Sequence, residues 1–381
     1  MGFSDGSSPK ENGQLGICID PQVLNKYLRR ETHPMPTVEE LLPDVRKARV
    51  FSKCDVKNGF WHIVVDEESS RLLIFATPFG RYRWTRMPFG LSPAPEIFQR
   101  CLKQQVVGLE GVTNIHDDIL VIGGGGTVAE AIETHDQRMH KLLERCVERN
   151  IVLNAGEKFS LRKSELPYMG HVLKDLSLKA DPNKVEAIQQ FPSPVDLPAL
   201  WRFLGMANYL SKFVPALSKM VEPLRRLTQK DTPLWWSDDC DKAVQDVRSA
   251  ITNAAILKYF DPEGQCKVQC DASLNGLGAV LLQNDQPVAF ASRSLTLAEK
   301  NYAQIEKELL AIVFALRRFD QYVYGLKIQV ESDHKPLETI LKKPLAEAPK
   351  RLQRMMLELQ RYDFEVHYRK GVELYVADTL S

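Results

Sequence analysis

The seven cysteines include no CxxC pair, and no uninterrupted apolar run is long enough to cross a bilayer. Nor is there a charge of one sign to exploit, since 50 Lys and Arg nearly cancel 49 Asp and Glu. The first absence argues against a zinc knuckle or disulfide scaffold and for a reducing, intracellular compartment, cytoplasmic or nuclear. The second argues against a membrane protein, and Met1–Ser8 lacks the apolar centre of a signal peptide. The third means that any polyanion must be gripped by local basic patches. Gly123–Gly126 is followed by no Gly-Lys-Ser/Thr, so it reads as a flexible loop and not a phosphate cradle.

What is present suits a globular chain of two or three domains: 381 residues, 44% hydrophobic and 26% charged. Residues 1–13 are polar and Gly/Ser-rich and read as a frayed terminus. Leu15–Asp20 reads as a strand, and Thr37-Val38-Glu39-Glu40 as a capping box opening a helix to about Val45. A strand ending at Asp55 precedes Gly59-Phe60-Trp61 and a second strand, His62–Val65. A hairpin spans Phe75–Trp84, and a helix runs from about Ala94 to Val107. The spacing of Met139, Leu142, Leu143, Cys146 and Val147 predicts an amphipathic helix over 133–149, on which His135 and His140 read as ordinary face residues. Beyond Asp181 the chain turns helical, with Trp201, Phe203 and Tyr209 interleaved with Arg202 and Lys212.

The stretch Thr113–Val121 sets two adjacent carboxylates, Asp117 and Asp118, between apolar flanks with no Lys or Arg inside it. That pattern suits a β-hairpin carrying its acids at the turn. A third isolated acid, Asp55, ends another apolar strand. Carboxylates converging at strand ends make a hard-oxygen site for Mg²⁺, and two such ions can carry an in-line phosphoryl displacement. The C-terminal third repeats the theme. Asp271 ends an apolar strand, Glu306 and Glu308 ride a strong helix over Tyr302–Phe319, Asp333-His334 ends the strand Ile328–Ser332, and Asp378 lies near the last residue.

These motifs stand in order: Ile19-Asp20-Pro21, Leu24-Asn25-Lys26, Phe51-Ser52-Lys53-Cys54-Asp55, Gly59-Phe60-Trp61, Thr77-Pro78-Phe79-Gly80, Met87-Pro88-Phe89-Gly90, the Asp-Asp hairpin, Gly170-His171, Phe203-Leu204-Gly205, Cys270-Asp271-Ala272-Ser273, Glu306-Lys307-Glu308, Ser332-Asp333-His334 and Val376-Ala377-Asp378. From about Leu15 to Ser381 the chain resembles the reverse transcriptase–RNase H region of gypsy-type LTR retrotransposon and retroviral pol polyproteins. The resemblance implies an α+β fold: a reverse transcriptase palm with partial fingers, a helical thumb-like or connection segment, and a C-terminal RNase H-like α/β domain. Its boundaries are expected at 14–180, 181–261 and 262–381.

Carried over position by position, the resemblance makes Asp55, Asp117 and Asp118 the polymerase metal acids, and Asp271, Glu308, Asp333 and Asp378 those of RNase H. Phe60 falls where an aromatic blocks the sugar 2′-OH, and Phe89 where the incoming nucleotide is contacted. The implied cofactor is Mg²⁺, two ions per site, with Mn²⁺ as the alternative. The implied partners are an RNA template, a DNA primer, an RNA–DNA hybrid and dNTPs, within a larger polyprotein or a dimer. RNase H specificity would come from hybrid shape and 2′-OH contacts.

Four departures weigh on the polymerase half. Ile115 stands where the hairpin usually carries Tyr, and Gln22 replaces a frequent Arg. Gly16 occupies the position of an Arg that binds the triphosphate, a charge-assisted contact worth roughly 1.5–3 kcal/mol. The upstream fingers strands are missing, with Gly6–Lys10 in their place and Lys10 as the remaining phosphate contact. The expectation is a reverse transcriptase with RNase H. One alternative keeps RNase H alone, and the other is a catalytically inactive, host-retained nucleic-acid-binding remnant.

Overall fold

Short alternating apolar runs separated by amphipathic helices fold into two units, residues 1–166 and 167–381. The computed structural model describes the chain apart from residues 1–4, 10–14, 31–32, 34–35, 157–158, 230–231, 234, 343, 371–373 and 375–381. Lys10 and Asp378 therefore lie outside the described residues.

The first unit is built on an antiparallel sheet of β1 (Ala48–Asp55), β2 (Val112–Ile115), β3 (Asp118–Gly124) and β4 (Ser160–Lys163), in the order β2-β3-β1-β4. Side chains alternate across β1, so Cys54 faces one way and Lys53 and Asp55 the other. On the Cys54 side, Ile119 and Val121 meet Phe98, Leu102 and Val106 of α1 (Ala94–Val106), and Met139, Leu142 and Cys146 of α2 (Val128–Glu148). Each large side chain buried there contributes about 1.5–3 kcal/mol, leaving the opposite face for the acids.

Several local expectations change. The polar start does not simply fray, because Asp5–Pro9 pairs with Leu15–Ile19 through backbone bonds that need no apolar side chains. Thr37 precedes the helix Val38–Val45, but its hydroxyl meets the Glu40 carboxylate and caps no backbone N–H. His62–Val65 forms no strand. A 3₁₀ turn, Gly59–His62, leads to a single bridge between Val64 and Arg86. Helix α2 starts earlier than its apolar spacing implies, at a capping box made by Thr127 and Glu130. Gly123 and Gly124 belong to β3 and not to a loop. A Cβ on Gly123 would stand 2.1 Å from the Ala131 carbonyl oxygen and 2.5 Å from His135 Cβ, so glycine lets α2 dock on the strand.

Gly90 is fixed by the same logic. Its φ is +107°, and a Cβ would fall 2.0 Å from the Ile19 carbonyl oxygen. Around it, Ile19 N donates to the Phe89 carbonyl (3.1 Å), Asn25 Nδ2 donates to Gly90 O (3.0 Å), and Ser92 N donates to Asn25 Oδ1 (2.9 Å). Two motifs distant in sequence are thus one structure. Gly90→Ala should destabilise the first unit by roughly 1–3 kcal/mol or more, read as a lower urea midpoint with an unchanged slope. An unaltered midpoint would refute this account of the glycine.

At the start of the second unit, β5 (Glu165–Tyr168, which begins two residues before the division), β6 (His171–Lys174), β7 (Ser177–Ala180) and the short β8 (Leu257–Lys258) form one sheet. The helices α3 (Leu197–Tyr209) and α4 (Asp238–Thr252) lie between β7 and β8 in the chain. A five-stranded mixed sheet follows. It comprises β9 (Cys266–Ala272), β10 (Gly276–Gln283), β11 (Gln286–Ser294), β12 (Lys327–Ser332) and β13 (Asp363–Tyr368), in the order β11-β10-β9-β12-β13. Strands β9, β10 and β11 are antiparallel, whereas β12 runs parallel to both β9 and β13. Helices α5 (Gln304–Arg318) and α6 (Lys350–Leu359) pack on one face, around Val268, Cys270, Ile312 and Met356. The whole is α+β, as expected, with most of the chain between β7 and β8 helical and a mixed five-stranded sheet after it. Among the described residues no helix is long and apolar enough to cross a membrane.

Candidate functional site

Two groups of acids sit at strand ends, one in each unit. In the first, the register of β1 and β3 sets Asp55 directly opposite Asp118. Strands β2 and β3 turn tightly through His116 and Asp117, with His116 in the left-handed region at φ 52°. The buried Gln99 of α1 holds that turn. Its Oε1 accepts from His116 N (2.6 Å), and its Nε2 donates to Asn114 O (3.2 Å). On the other side, Val56 N donates to Asp117 O (2.9 Å).

Asp55 is buried, Asp118 half-buried and Asp117 exposed. Although the hairpin itself contains no cation, β1 supplies one: Lys53 Nζ lies 3.8 Å from Asp118 Oδ2. Asn154 takes hold of Asp55 twice, through its Nδ2 to Oδ2 and through its backbone N to Asp55 O (2.8 Å). The two aromatics predicted beside a nucleotide meet one another. Phe60 and Phe89 have ring centroids 4.9 Å apart, and Phe60 also stands edge-on to Phe98 at 5.6 Å.

The second group is tighter. Parallel pairing of β9 with β12 aligns Gln269 with Glu331, so the acids two residues further on, Asp271 and Asp333, emerge side by side. Glu308 reaches them from α5. Ligand atoms of Asp271, Glu308 and Asp333 all lie within 4.8 Å of one another, and among the described residues no other three metal-ligating side chains do so. The acids of the first unit are therefore neighbours by strand register without forming so close a trio.

Glu308 is buried, and its Oε2 has no hydrogen-bond partner. Burial first, then the charges of Asp271 and Asp333, push its carboxyl up to about 8. Gln304 opposes this by donating from Nε2 to Glu308 Oε1 (2.5 Å), and the same amide reaches the Ala272 carbonyl (3.0 Å), tying α5 to β9. Beneath the trio, burial and the same three acids drive the Cys270 thiol well above its ordinary range, so it stays a neutral, packed group. A buried carboxylate oxygen without a donor, between two further carboxylates, fits a divalent cation with oxygen ligands. Glu306 does not join it. It receives both contacts of Arg351, at 2.9 and 2.8 Å, and the Arg351 guanidinium lies over the Tyr302 ring.

Sequence reasoning missed the groups that hold these acids: Gln99, Asn154 and Gln304. It also misread His135, which is fully buried. Ser52 Oγ lies 2.7 Å from His135 Nε2, His135 Nδ1 lies 3.0 Å from Asp136 Oδ1, and Arg162 Nε donates to that same oxygen (2.8 Å). Arg162, the first cause, holds the Asp136 carboxyl below its usual range. The order Ser-His-Asp suggests a nucleophile, but Ser52 is buried and already accepts from Arg162 N (2.9 Å). The network instead fastens β1, α2 and β4 together.

Comparison with known proteins gives two family matches, one around each group of acids. A family model described as reverse transcriptase (RNA-dependent DNA polymerase) matches residues 9–173, and one described as an RNase H-like domain found in reverse transcriptase matches 236–330. The chain is 34% identical over 383 residues to the retrovirus-related Pol polyprotein from transposon 412 of Drosophila melanogaster, covering 98% of this chain and 30% of that protein. It thus spans under a third of that relative's length. The fold matches a foamy viral protease-reverse transcriptase solved in complex with double-stranded DNA, at TM-score 0.87 and 23% identity over 97% of this chain and 65% of that one. A foamy viral protease-reverse transcriptase solved with an RNA/DNA hybrid matches at TM-score 0.80 and 23% identity, over 97% of this chain and 50% of that one.

Proposed function

The chain belongs to the reverse transcriptase–RNase H region of retrotransposon and retroviral Pol polyproteins, and from that premise we propose that it carries out two metal-dependent reactions on nucleic acid. One is RNA-directed DNA synthesis at Asp55, Asp117 and Asp118, within residues 14–180. The other is hydrolysis of the RNA strand of an RNA–DNA hybrid at Asp271, Glu308 and Asp333, within residues 262–381, with Asp378 as the fourth acid. Residues 181–261 serve as thumb and connection. The observation that carries the reading is the carboxylate trio, with the orphaned oxygen of Glu308 at its centre.

Divalent ions, Mg²⁺ or Mn²⁺ and two per site, supply Lewis-acid stabilisation for in-line displacement at phosphorus when bound. The chain's own residues prepare for this. Glu308 holds a proton in the metal-free chain and would have to release it to serve as a ligand, and Gln304 fixes which of its oxygens faces the site. In the first unit, Asn154 orients Asp55, Phe60 closes the space that a 2′-OH would need, and Phe89 backs the incoming dNTP. The partners are an RNA template, a DNA primer and the hybrid between them, in keeping with the ligands of the two foamy viral structures. The assembly is a larger polyprotein or a dimer.

A second reading, hydrolysis alone, is favoured by the looser acids of the first unit and by Gly16. The test incubates the full chain with Mg²⁺ on a hybrid, and separately on a primed RNA template with dNTPs, with EDTA as the blank. Metal-dependent cleavage together with extension supports the two-activity reading. Cleavage without extension selects the second reading, and neither product leaves a nucleic-acid-binding remnant.

A further inference from the structure

The first unit contains a cleft of about 960 Å³ whose lining includes none of the proposed metal acids and neither Phe60 nor Phe89. Its walls come from three separated segments. Val56–Ile63 supplies Lys57, Trp61 and His62; α1 supplies Phe98, Cys101 and Gln105; and the chain after α2 supplies Arg149–Val152. Arg86 closes one side. No Asp or Glu lines it. Lys57, Arg86 and Arg149 are exposed, and among the described residues none of them is paired with a carboxylate. Three uncompensated cations around one concavity are unusual for a chain whose total charge is +1.

The rest of the wall is fixed. His62 Nδ1 donates to Gly59 O (3.2 Å) while its Nε2 accepts from Val152 N (3.0 Å), so both ring nitrogens are spent on the scaffold. Lys57 N donates to Val152 O (2.8 Å), stitching two walls together. Arg86 gives one N–H to His62 O (3.3 Å) and keeps the others for a ligand. Trp61 offers a half-buried indole, braced by Trp84 (ring centroids 6.1 Å) and Phe89 (6.2 Å), to a wall that also holds apolar Phe98 and Leu102.

We propose that this cleft binds a nucleoside diphosphate or triphosphate, its phosphates between Lys57, Arg86 and Arg149 and its base against Trp61. A diphosphate carries about three negative charges near pH 7, matching three cations. A planar base is the natural occupant of an aromatic wall that sits beside them. The size suits a single nucleotide, since small-ligand sites run roughly 300–1,000 Å³. The cations gather around one concavity, which favours a mononucleotide over a strand.

The proposal does not depend on either enzymatic reading, and its test is run without metal. ADP is titrated into the full chain in EDTA by calorimetry, where binding through the acid sites is silenced. Saturable binding is expected, weakened at least about tenfold by Arg149→Glu and by the milder Lys57→Gln, both exposed positions that the fold tolerates. Inorganic pyrophosphate should bind more weakly than ADP. Absence of ADP binding at millimolar concentration, or binding indifferent to both substitutions, would overturn the proposal. Pyrophosphate binding as tightly as ADP would overturn the nucleoside half of it. A single-stranded deoxyoligonucleotide that displaces ADP at lower concentration would overturn the mononucleotide assignment in favour of a strand.

Discussion

Glu308→Gln is expected to lower cleavage of the RNA strand of a hybrid by at least roughly a hundredfold, because even outer partners of a metal site are worth about 10–100-fold. The substitution keeps the shape and the Gln304 contact but removes the charge from the most buried member of the trio. The wild-type carboxyl, raised to about 8, is mostly protonated at neutral pH in the metal-free protein. Mg²⁺ must displace that proton, so binding should release about one proton per site and tighten as pH rises toward 8. The sign for stability is opposite. Between the ordinary carboxyl value and about 8 the folded state holds the proton more firmly than the unfolded state does. Metal-free stability is therefore full below that window and falls as pH rises through it, and Mg²⁺ restores it at the upper end. Calorimetry in two buffers of different ionisation enthalpy reads the proton, and urea midpoints at pH 5 and 8 read the slope. In Glu308→Gln both signals should vanish. A mutant that retains the proton release would place the titrating group elsewhere.

Why the acids were legible in the sequence while their supports were not is a matter of range. A lone carboxylate ending an apolar strand is conspicuous within six or seven residues, because alternation fixes the strand and leaves the charge unexplained. Asp55, Asp271 and Asp333 all announce themselves in this way. The supports of the first unit's acids come from far along the chain. Asn154 lies 99 residues from Asp55, and Gln99 lies 17 from the turn it secures. An Asn or Gln carries no local pattern that says which backbone or carboxylate it will meet. The absence of Lys and Arg within Thr113–Val121 was real but misleading, because strand pairing imports Lys53. The glycines at 123 and 124 show a different failure. Composition reads four glycines as a loop, whereas Gly123 lets α2 dock on the strand and Gly124 sits against the Lys47 carbonyl, close approaches visible only in the folded chain. Thr127 and Glu130 did carry a local signal, a capping box that sets the start of α2, hidden by the same glycine run.

Asn154→Ala is the sharpest test of the first unit, and primer extension should fall by about 10–100-fold, with Asp55→Asn at or below the blank. Asp55 is 4% exposed, so its carboxylate depends on protein donors for orientation. The alanine removes only the Nδ2 donor. Backbone pairing between Asn154 N and Asp55 O is untouched, as is the bridge between Val56 and Leu153. Strand order should therefore survive while one carboxylate oxygen loses its anchor, a loss of roughly 1.5–3 kcal/mol for a hydrogen bond to a charged group. A merely structural role predicts lower activity in step with a lower urea midpoint, at any Mg²⁺ concentration. A positioning role predicts that raising Mg²⁺ recovers much of the extension, because the cation then supplies the orientation that the amide gave. Hybrid cleavage by the second unit is the internal control and should stay at the wild-type rate. If extension by Asn154→Ala matches wild type at limiting Mg²⁺, Asp55 is oriented by something other than this amide.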